Sequence, residues 1–434
     1  MRIYSDMPST TEQALEIRDQ VYSDTLQLRR PLRVFMMDLM AIVPYYDGHL
    51  CAAMAQENDL EVTLGAITYA YDRDYFRRQG VRNRPGLDIV ARLRLPVPLR
   101  RAFKTVEATV NLAALVVRLA IRRPDVLHVQ FLPMMEFGIP FERWMLRLAR
   151  RLGTKVVHTV HNVLPPDTKG RRGATPHVKL YRNIYQSADA LICHDERAKA
   201  RVVREFSVRP ERIRVIPHGP LFEQTCTVTR EEARVKLRLS TTSCLVLLQG
   251  ILELYKGVDF LLEAWCKVAA HSRDVRLAIV GNGTKEVRDS ICRQVVDLGI
   301  ASSVRLEPRF VSVEELGYWY RAADILAYPY REATTSGALM TGINYGRAIV
   351  ATAASGFQQI LRHGHNALLV NYGDVSGLAD ALGRLISDDA LRIKLSERIR
   401  ELQATGPRWP AIARQTRACY EELVYRGQNA ISAP

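Results

Sequence analysis

No stretch of this 434-residue chain carries the ~20 consecutive apolar residues of a membrane-spanning helix. The longest candidate, Leu112–Ile121, is interrupted by Arg118, so no such helix is expected. The segment Met1–Arg30 lacks the apolar core of a signal peptide, since TTEQALEIRDQ is polar, and a protein made and kept in the cytoplasm is the expectation. Cysteines number seven and are scattered, with no CxxC and no Cys/His pair at zinc spacing. Neither a disulfide framework nor a metal site is implied. Acidic residues are also scarce: 46 against 61 Lys and Arg, a formal net charge of +15. The deficit is uneven, because residues 1–220 hold 35 basic and 23 acidic groups and Arg92–Lys155 alone holds 13 against 4. A first half this basic invites an anionic partner: nucleic acid, anionic lipid or a phosphorylated substrate. Nucleic acid ranks lowest, because the basic segments show no recognition module, no RNP-like aromatic strand and no helix-turn-helix signature.

What the chain does have is length for two or three domains and an alternation of buried-strand and helix patterns. Strand-like runs fall at Leu32–Met40, Glu61–Thr68, Val126–Phe131, Lys155–Val160, Ala190–Cys193 and Arg212–Ile216. A second series begins at Cys244 and continues through Val275–Val280, Val304–Leu306, Asp324–Tyr328, Ala348–Thr352 and Ala367–Val370. Strands alternating with helices predict doubly wound parallel sheets, here as two α/β domains facing one another across a cleft and joined near Pro217–Thr229. Within the first half, Phe141–Lys155 puts Phe141, Trp144, Met145, Leu148 and Leu152 on one helical face, with Arg143, Arg147, Arg150, Arg151 and Lys155 around it. That is the composition of a helix lying on anionic lipid, and equally of a core helix with a basic outer face.

The stretch Leu245–Leu262, LVLLQGILELYKGVDFLL, is a strand–loop–helix unit. A loop at the carboxyl end of a parallel strand, leading into a helix with unpaired first amides, is where α/β proteins hold anions. Lys256 would add charge there, although one glycine-lysine loop cannot carry the assignment alone. The later motifs RLAIVGNGT, FVSVEELGYWYRAADILAYPYREATTSGALMTGINYGRAIVATAASG and HGHNALLVNYGD follow in order. Together they resemble the donor domain of nucleotide-sugar-dependent glycosyltransferases of the GT-B fold, family-4-like. DVLHVQF, KVVHTVHNVLPPD, ADALICHDERA and IRVIPHG fall where that family has its N-domain strands, and WPAIARQTRACYEEL resembles its returning C-terminal helix. The resemblance implies a polar extension at 1–30, an acceptor-side Rossmann-like domain at 31–220, a donor domain at 221–405 and a returning helix at 406–434.

It also implies roles. Lys256 would stabilise the leaving diphosphate, His161 would lie beside the donor sugar, and Glu332 stands near the first of two family glutamates. Donor binding would fall to Gly250, Gly281, Gly283, Phe310, Thr334, Thr335, Ser336, Gly337 and Thr341. Tyr46, Asp47 and His49, read as a loop after the first strand, would face the acceptor. Two positions depart from the family: Ile251 stands where arginine is usual, and Thr341 where a second glutamate would bind ribose. Retention is therefore the favoured outcome rather than a fixed one, and an inverting enzyme would look to Asp47, His49 or Asp167 for its base. The implied function is sugar transfer from UDP- or GDP-sugar, without cofactor or metal. The acceptor would be a lipid-linked saccharide or glycolipid at an anionic membrane surface, on the inner face of the plasma membrane. The alternatives are other GT-B chemistry, such as an epimerase or phosphorylase, and a non-catalytic binder of membrane or polyanion.

Overall fold

The computed structural model describes residues 30–429 apart from 70, 85, 91–92, 94, 133–140, 164–173, 223–226, 272–273 and 334–335. Thr334, Thr335, Asp167 and nearly all of the 1–30 extension lie outside the described residues.

Among the described residues, twelve strands make two six-stranded sheets, parallel throughout. The first joins β1 (Leu32–Met37), β2 (Leu60–Gly65), β3 (Val126–Val129), β4 (Lys155–Val160), β5 (Ala190–Cys193) and β6 (Ile213–Val215) in the order β2-β1-β3-β4-β5-β6. The second joins β7 (Cys244–Gln249), β8 (Val275–Val280), β9 (Val304–Glu307), β10 (Ile325–Tyr328), β11 (Ala348–Thr352) and β12 (Leu368–Val370) in the order β12-β11-β10-β7-β8-β9. Helices cover both faces of each sheet, so the inner strands are apolar on both sides, and every residue of β3, β5, β10 and β11 is buried. Each sheet therefore has one switch point, between β1 and β3 and between β7 and β10. Loops at the carboxyl ends of the flanking strands diverge there and leave a crevice.

The last helix, Trp409–Asn429, packs on the first sheet's domain. Trp409, Ile412, Cys419 and Tyr420 share a core with Leu32, Val34, Met36, Leu50 and Met54. Tyr420 Oη meets His128 Nδ1 at 2.6 Å, and Arg417 pairs with Glu57 and Asp59. Burying one such aromatic side chain is worth roughly 4–6 kcal/mol by area, an upper figure. That anchors the return.

Two expectations change. Pro44–His49 is not a loop, because Pro44 occupies the first turn of a helix, Pro44–Met54, where its missing N–H and fixed φ are tolerated. Helix Phe141–Arg151 faces inward with Met145, Leu146 and Ala149, not with Trp144, which is 53% exposed.

Candidate active site between the two sheets

At the second switch point, Gly250 follows β7 and a short 3-10 turn, Leu254–Lys256, leads into helix Val258–His271. The backbones after β7 and β8 approach closely here: a Cβ at Gly281 would sit 1.9 Å from the Gly250 carbonyl, at φ +144. Gly281 thus serves loop-to-loop packing, and Leu252 N–H reaches Asn282 O at 2.6 Å just beyond it, extending the pairing to Gly283. Lys256 is folded beneath this loop, 6% exposed. Its Nζ donates to Tyr330 Oη at 2.7 Å and lies 4.4 Å from that ring's centre. Burial disfavours the ammonium, but the Tyr330 and Tyr255 phenols outweigh it and hold its pKa above the ordinary lysine value. A fixed cation is the result.

After β10 comes the exposed Glu332, and then Ser336 caps helix Gly337–Tyr345 by accepting from the Leu339 N–H. The N-terminus of this helix points at the first domain: a Cβ on Gly337 would lie 2.3 Å from Leu221 Cδ1 and 3.4 Å from His218 Cε1. Thr341, counted among the donor-binding residues at the place where a glutamate would bind ribose, is completely buried, and its hydroxyl donates to the Gly337 carbonyl at 2.8 Å. The helix turns that position inward.

Facing this helix are residues at the carboxyl ends of β3 to β6. Neighbouring parallel strands lie about 4.8 Å apart, so residues just beyond them line up side by side. Gln130, His161, His194 and His218 do so: His161 Nε2 lies 2.9 Å from Gln130 Oε1, and His161 Nδ1 lies 3.4 Å from His194 Nε2. The Tyr46 ring packs against all three imidazoles at centroid distances of 4.7, 5.5 and 5.1 Å. Burial, reinforced by the neighbouring rings, holds His161 well below the ordinary histidine pKa; burial takes His194 to about 4 and His218 to about 3. All three are neutral bases at pH 7.

The acceptor-side expectations fare differently. Tyr46 reaches His161, but Asp47 is fully buried with no hydrogen-bond donor to either oxygen. Burial first, and then the Asp38 carboxyl beside it, push its pKa well up, so it stays protonated. His49 stacks on Trp409 and its Nε2 meets Leu221 O at 2.8 Å, which ties it to the hinge rather than the cleft. Phe310 reaches across to the first domain, stacked on Tyr71 at 4.9 Å, and Asn282 Nδ2 donates to Tyr71 Oη at 3.0 Å. His194, His218, Tyr330 and Tyr71 were missed in the sequence. ICHD and IPHG each place histidine after a strand-like run as HTVHN does, and three such positions in one parallel sheet were a legible signal.

Residues 244–388 match the family model described as glycosyl transferases group 1, and residues 48–220 match that of glycosyltransferase family 4. The D-inositol 3-phosphate glycosyltransferase 1 of Catenulispora acidiphila is 27% identical over 299 residues, covering 65% of this chain and 70% of that protein. Among solved structures, sucrose-phosphate synthase from Thermosynechococcus elongatus superposes with a TM-score of 0.71 at 19% identity, covering 93% of this chain and 100% of that one. Anabaena HepE in complex with UDP and glucose superposes with a TM-score of 0.68 at 14% identity, covering 90% and 99%. Both sheets, both family matches and the buried cation at the second switch point thus converge: the chain belongs to the family-4-like, group 1 glycosyltransferases of the GT-B fold and is a nucleotide-sugar-dependent transferase.

Proposed function

We propose that the protein transfers a sugar from UDP- or GDP-sugar to a hydroxyl of a lipid-linked saccharide at the cytoplasmic face of the plasma membrane, in polysaccharide or glycolipid synthesis, with retention. The observation that carries the donor half of this reading is the buried Lys256 cation at the second switch point, together with the N-terminus of helix Gly337–Tyr345, which faces His218 of the first domain. As the bond between the sugar C1 and the diphosphate oxygen breaks, charge grows on the leaving group. Lys256 and the helix amides stabilise it without a metal, the acceptor oxygen bonds to C1, and its proton passes to the departing diphosphate. HepE's complex with UDP and glucose supports a uridine nucleotide as donor. The basic first half supports an anionic acceptor surface, and Phe141 and Trp144 stand exposed on the helix that carries Arg147, Arg150 and Arg151.

A second acceptor reading comes from the curated relatives, which act on D-inositol 3-phosphate. A soluble phosphorylated polyol would suit the same excess of positive charge. The test begins with a screen of UDP- and GDP-sugars for thermal stabilisation, since a donor that binds only the folded state raises its apparent stability. Transfer is then assayed with EDTA present, to anionic vesicles carrying glycolipid and to inositol 3-phosphate without membrane. Activity with vesicles alone supports the lipid reading, and transfer to inositol phosphate without vesicles replaces it. Activity that chelation abolishes and Mg²⁺ or Mn²⁺ restores overturns the metal-free leaving-group assignment.

A further inference from the structure

Each imidazole of the first domain's cleft floor has one nitrogen committed to an oxygen that can only accept. His161 Nε2 faces Gln130 Oε1 at 2.9 Å, His194 Nδ1 faces the Ile216 carbonyl at 3.1 Å, and His218 Nδ1 faces the Gly219 carbonyl at 2.5 Å. Carbonyl and amide oxygens carry no hydrogen, so each of these nitrogens carries the ring's N–H. Gln130 Nε2 lies 3.3 Å from His128 Nε2, the nitrogen that also meets the Thr159 hydroxyl at 2.7 Å. The remaining nitrogens, His161 Nδ1, His194 Nε2 and His218 Nε2, are then lone pairs.

Two of those lone pairs confront each other at 3.4 Å with no hydrogen between them, and one nitrogen from each of the three rings lies within 4.8 Å of the other two. Two facing lone pairs repel unless a cation lies between them. Zinc–nitrogen bonds of about 2.0–2.1 Å at tetrahedral angles put the ligand nitrogens about 3.3 Å apart, close to the 3.4 Å between His161 and His194, and the His218 ring, within 4.8 Å of both, would move in to complete the set. The outer N–H of each ring is held by an amide or carbonyl oxygen, the arrangement that orients metal-binding histidines. Tyr46 closes one side with an apolar ring that supplies no competing charge. An all-imidazole set suits Zn²⁺, Cu²⁺ or Ni²⁺ and not Mg²⁺ or Ca²⁺, which take oxygen ligands.

We propose that His161, His194 and His218 form a three-histidine site for a transition-metal ion of the Zn²⁺ class. Binding is separate from the metal-free transfer reaction and opposed to it: the ion takes the free lone pair of His161, the one nitrogen that ring has left to offer a donor sugar. That inhibitory consequence rests on the donor reading above, whereas the site itself does not.

The test uses the full chain, freed of metal with EDTA and then dialysed, without donor or acceptor. Co²⁺ should bind at one ion per chain with the visible absorption of a four-coordinate site, Zn²⁺ should displace it and raise the melting temperature, and Mg²⁺ should do neither. His194→Gln and His218→Gln, checked for fold by circular dichroism, should each weaken Co²⁺ binding by at least about tenfold. Replacement of the exposed His271 or His365 by Gln should leave binding unchanged. Absence of Co²⁺ and Zn²⁺ binding, or binding unaltered in both cleft variants, overturns the site. Imidazole nitrogen NMR of the metal-free wild type provides a readout that does not depend on any variant folding. A proton on His161 Nδ1 or His194 Nε2 would make the 3.4 Å contact an ordinary hydrogen bond and remove the case for an ion.

Discussion

Lys256 was legible in the sequence because its strand–glycine–lysine loop is followed, in order, by the other motifs of the donor-domain resemblance; the loop alone would not have singled it out. Its burial beneath Tyr330 was not, since the partner lies 74 positions away and only the sheet brings it close. That contact changes how the residue should be tested: Lys256→Ala empties packed space and strands a hydroxyl, whereas Lys256→Met keeps the stem. Lys256→Met should lower kcat/KM by about 2–4 kcal/mol of transition-state stabilisation with a modest change in melting temperature. Near-normal turnover in steady-state assays would take this loop out of the chemistry. The buried histidines make a separate residue-scale prediction. His128, His158 and His194 are nearly inaccessible, and burial lowers their pKa values to about 3, 4 and 4, against about 6.5 when unfolded. The unfolded chain therefore binds more protons below pH 6.5. Stability is complete above that pH and falls by up to about 1.4 kcal/mol per pH unit per histidine as the pH drops toward 4. The Asp38–Asp47 pair, whose pKa values burial raises, works in the opposite sense, but it is outnumbered. Urea midpoints should drop between pH 7.5 and pH 5; a flat or rising profile would contradict this account.

Elements were read from the sequence with varying success, and the differences are physical. The bounds of β4, β5, β8 and β11 agree residue for residue with the apolar runs, because strands buried on both faces leave no ambiguity of period. The sequence placed a helix at Leu50–Gln56, but the first turns of helix Pro44–Met54 were hidden by their own composition: Pro, Asp and Gly read as turn residues. Gly48 is there because the Tyr75 ring comes so close that a Cβ would lie 2.5 Å from it, which is tertiary information. Thr341 shows the same limit, since spacing places a residue on a helix but does not fix which face turns inward. Helix Phe141–Arg151 has a core face, as one of the two readings made of it expects. Phe141 and Trp144 stay exposed, and Arg147, Arg150, Arg151 and Lys155 line, with Asp189, a pocket of about 450 Å³. Each such cation near an anionic bilayer contributes on the order of 1 kcal/mol, screened beyond about 8 Å at physiological salt. Reversing Arg147, Arg150 and Arg151 to glutamate should release the protein from phosphatidylserine vesicles in sedimentation assays while donor-induced stabilisation persists. Unchanged sedimentation would leave this helix a purely structural one.

On the scale of the whole molecule, the catalytic arrangement exists only when the two sheets face each other, and contacts at the hinge and at the mouth help to hold them so. At the hinge, Trp409 Nε1 donates to the Pro220 carbonyl at 2.9 Å and Tyr45 packs on Phe222 at 4.7 Å. At the mouth, Tyr71 of the first domain stacks on Phe310 of the second and accepts from Asn282, while staying 55% exposed. An aromatic pair of this kind is worth about 0.5–1.5 kcal/mol and a neutral hydrogen bond about 1 kcal/mol. These contacts at the mouth thus contribute about 1.5–2.5 kcal/mol to closure, a few times thermal energy, beside the bond from Arg197 to the Ser355 carbonyl. Tyr71→Ala should therefore shift the closed–open balance by roughly tenfold toward open without touching either core, since 1.4 kcal/mol is a factor of ten. Small-angle scattering should report a larger radius of gyration, the melting temperature should hold, and KM for the donor should rise severalfold. Phe310→Ala should do the same to a smaller extent, because the Asn282–Tyr71 bond survives it, and the double variant should be no worse than Tyr71→Ala alone, because that change already removes the stack. Additive effects would mean that the two rings act on separate partners, and an unchanged radius with unchanged KM would mean that the mouth is held shut by something other than this pair.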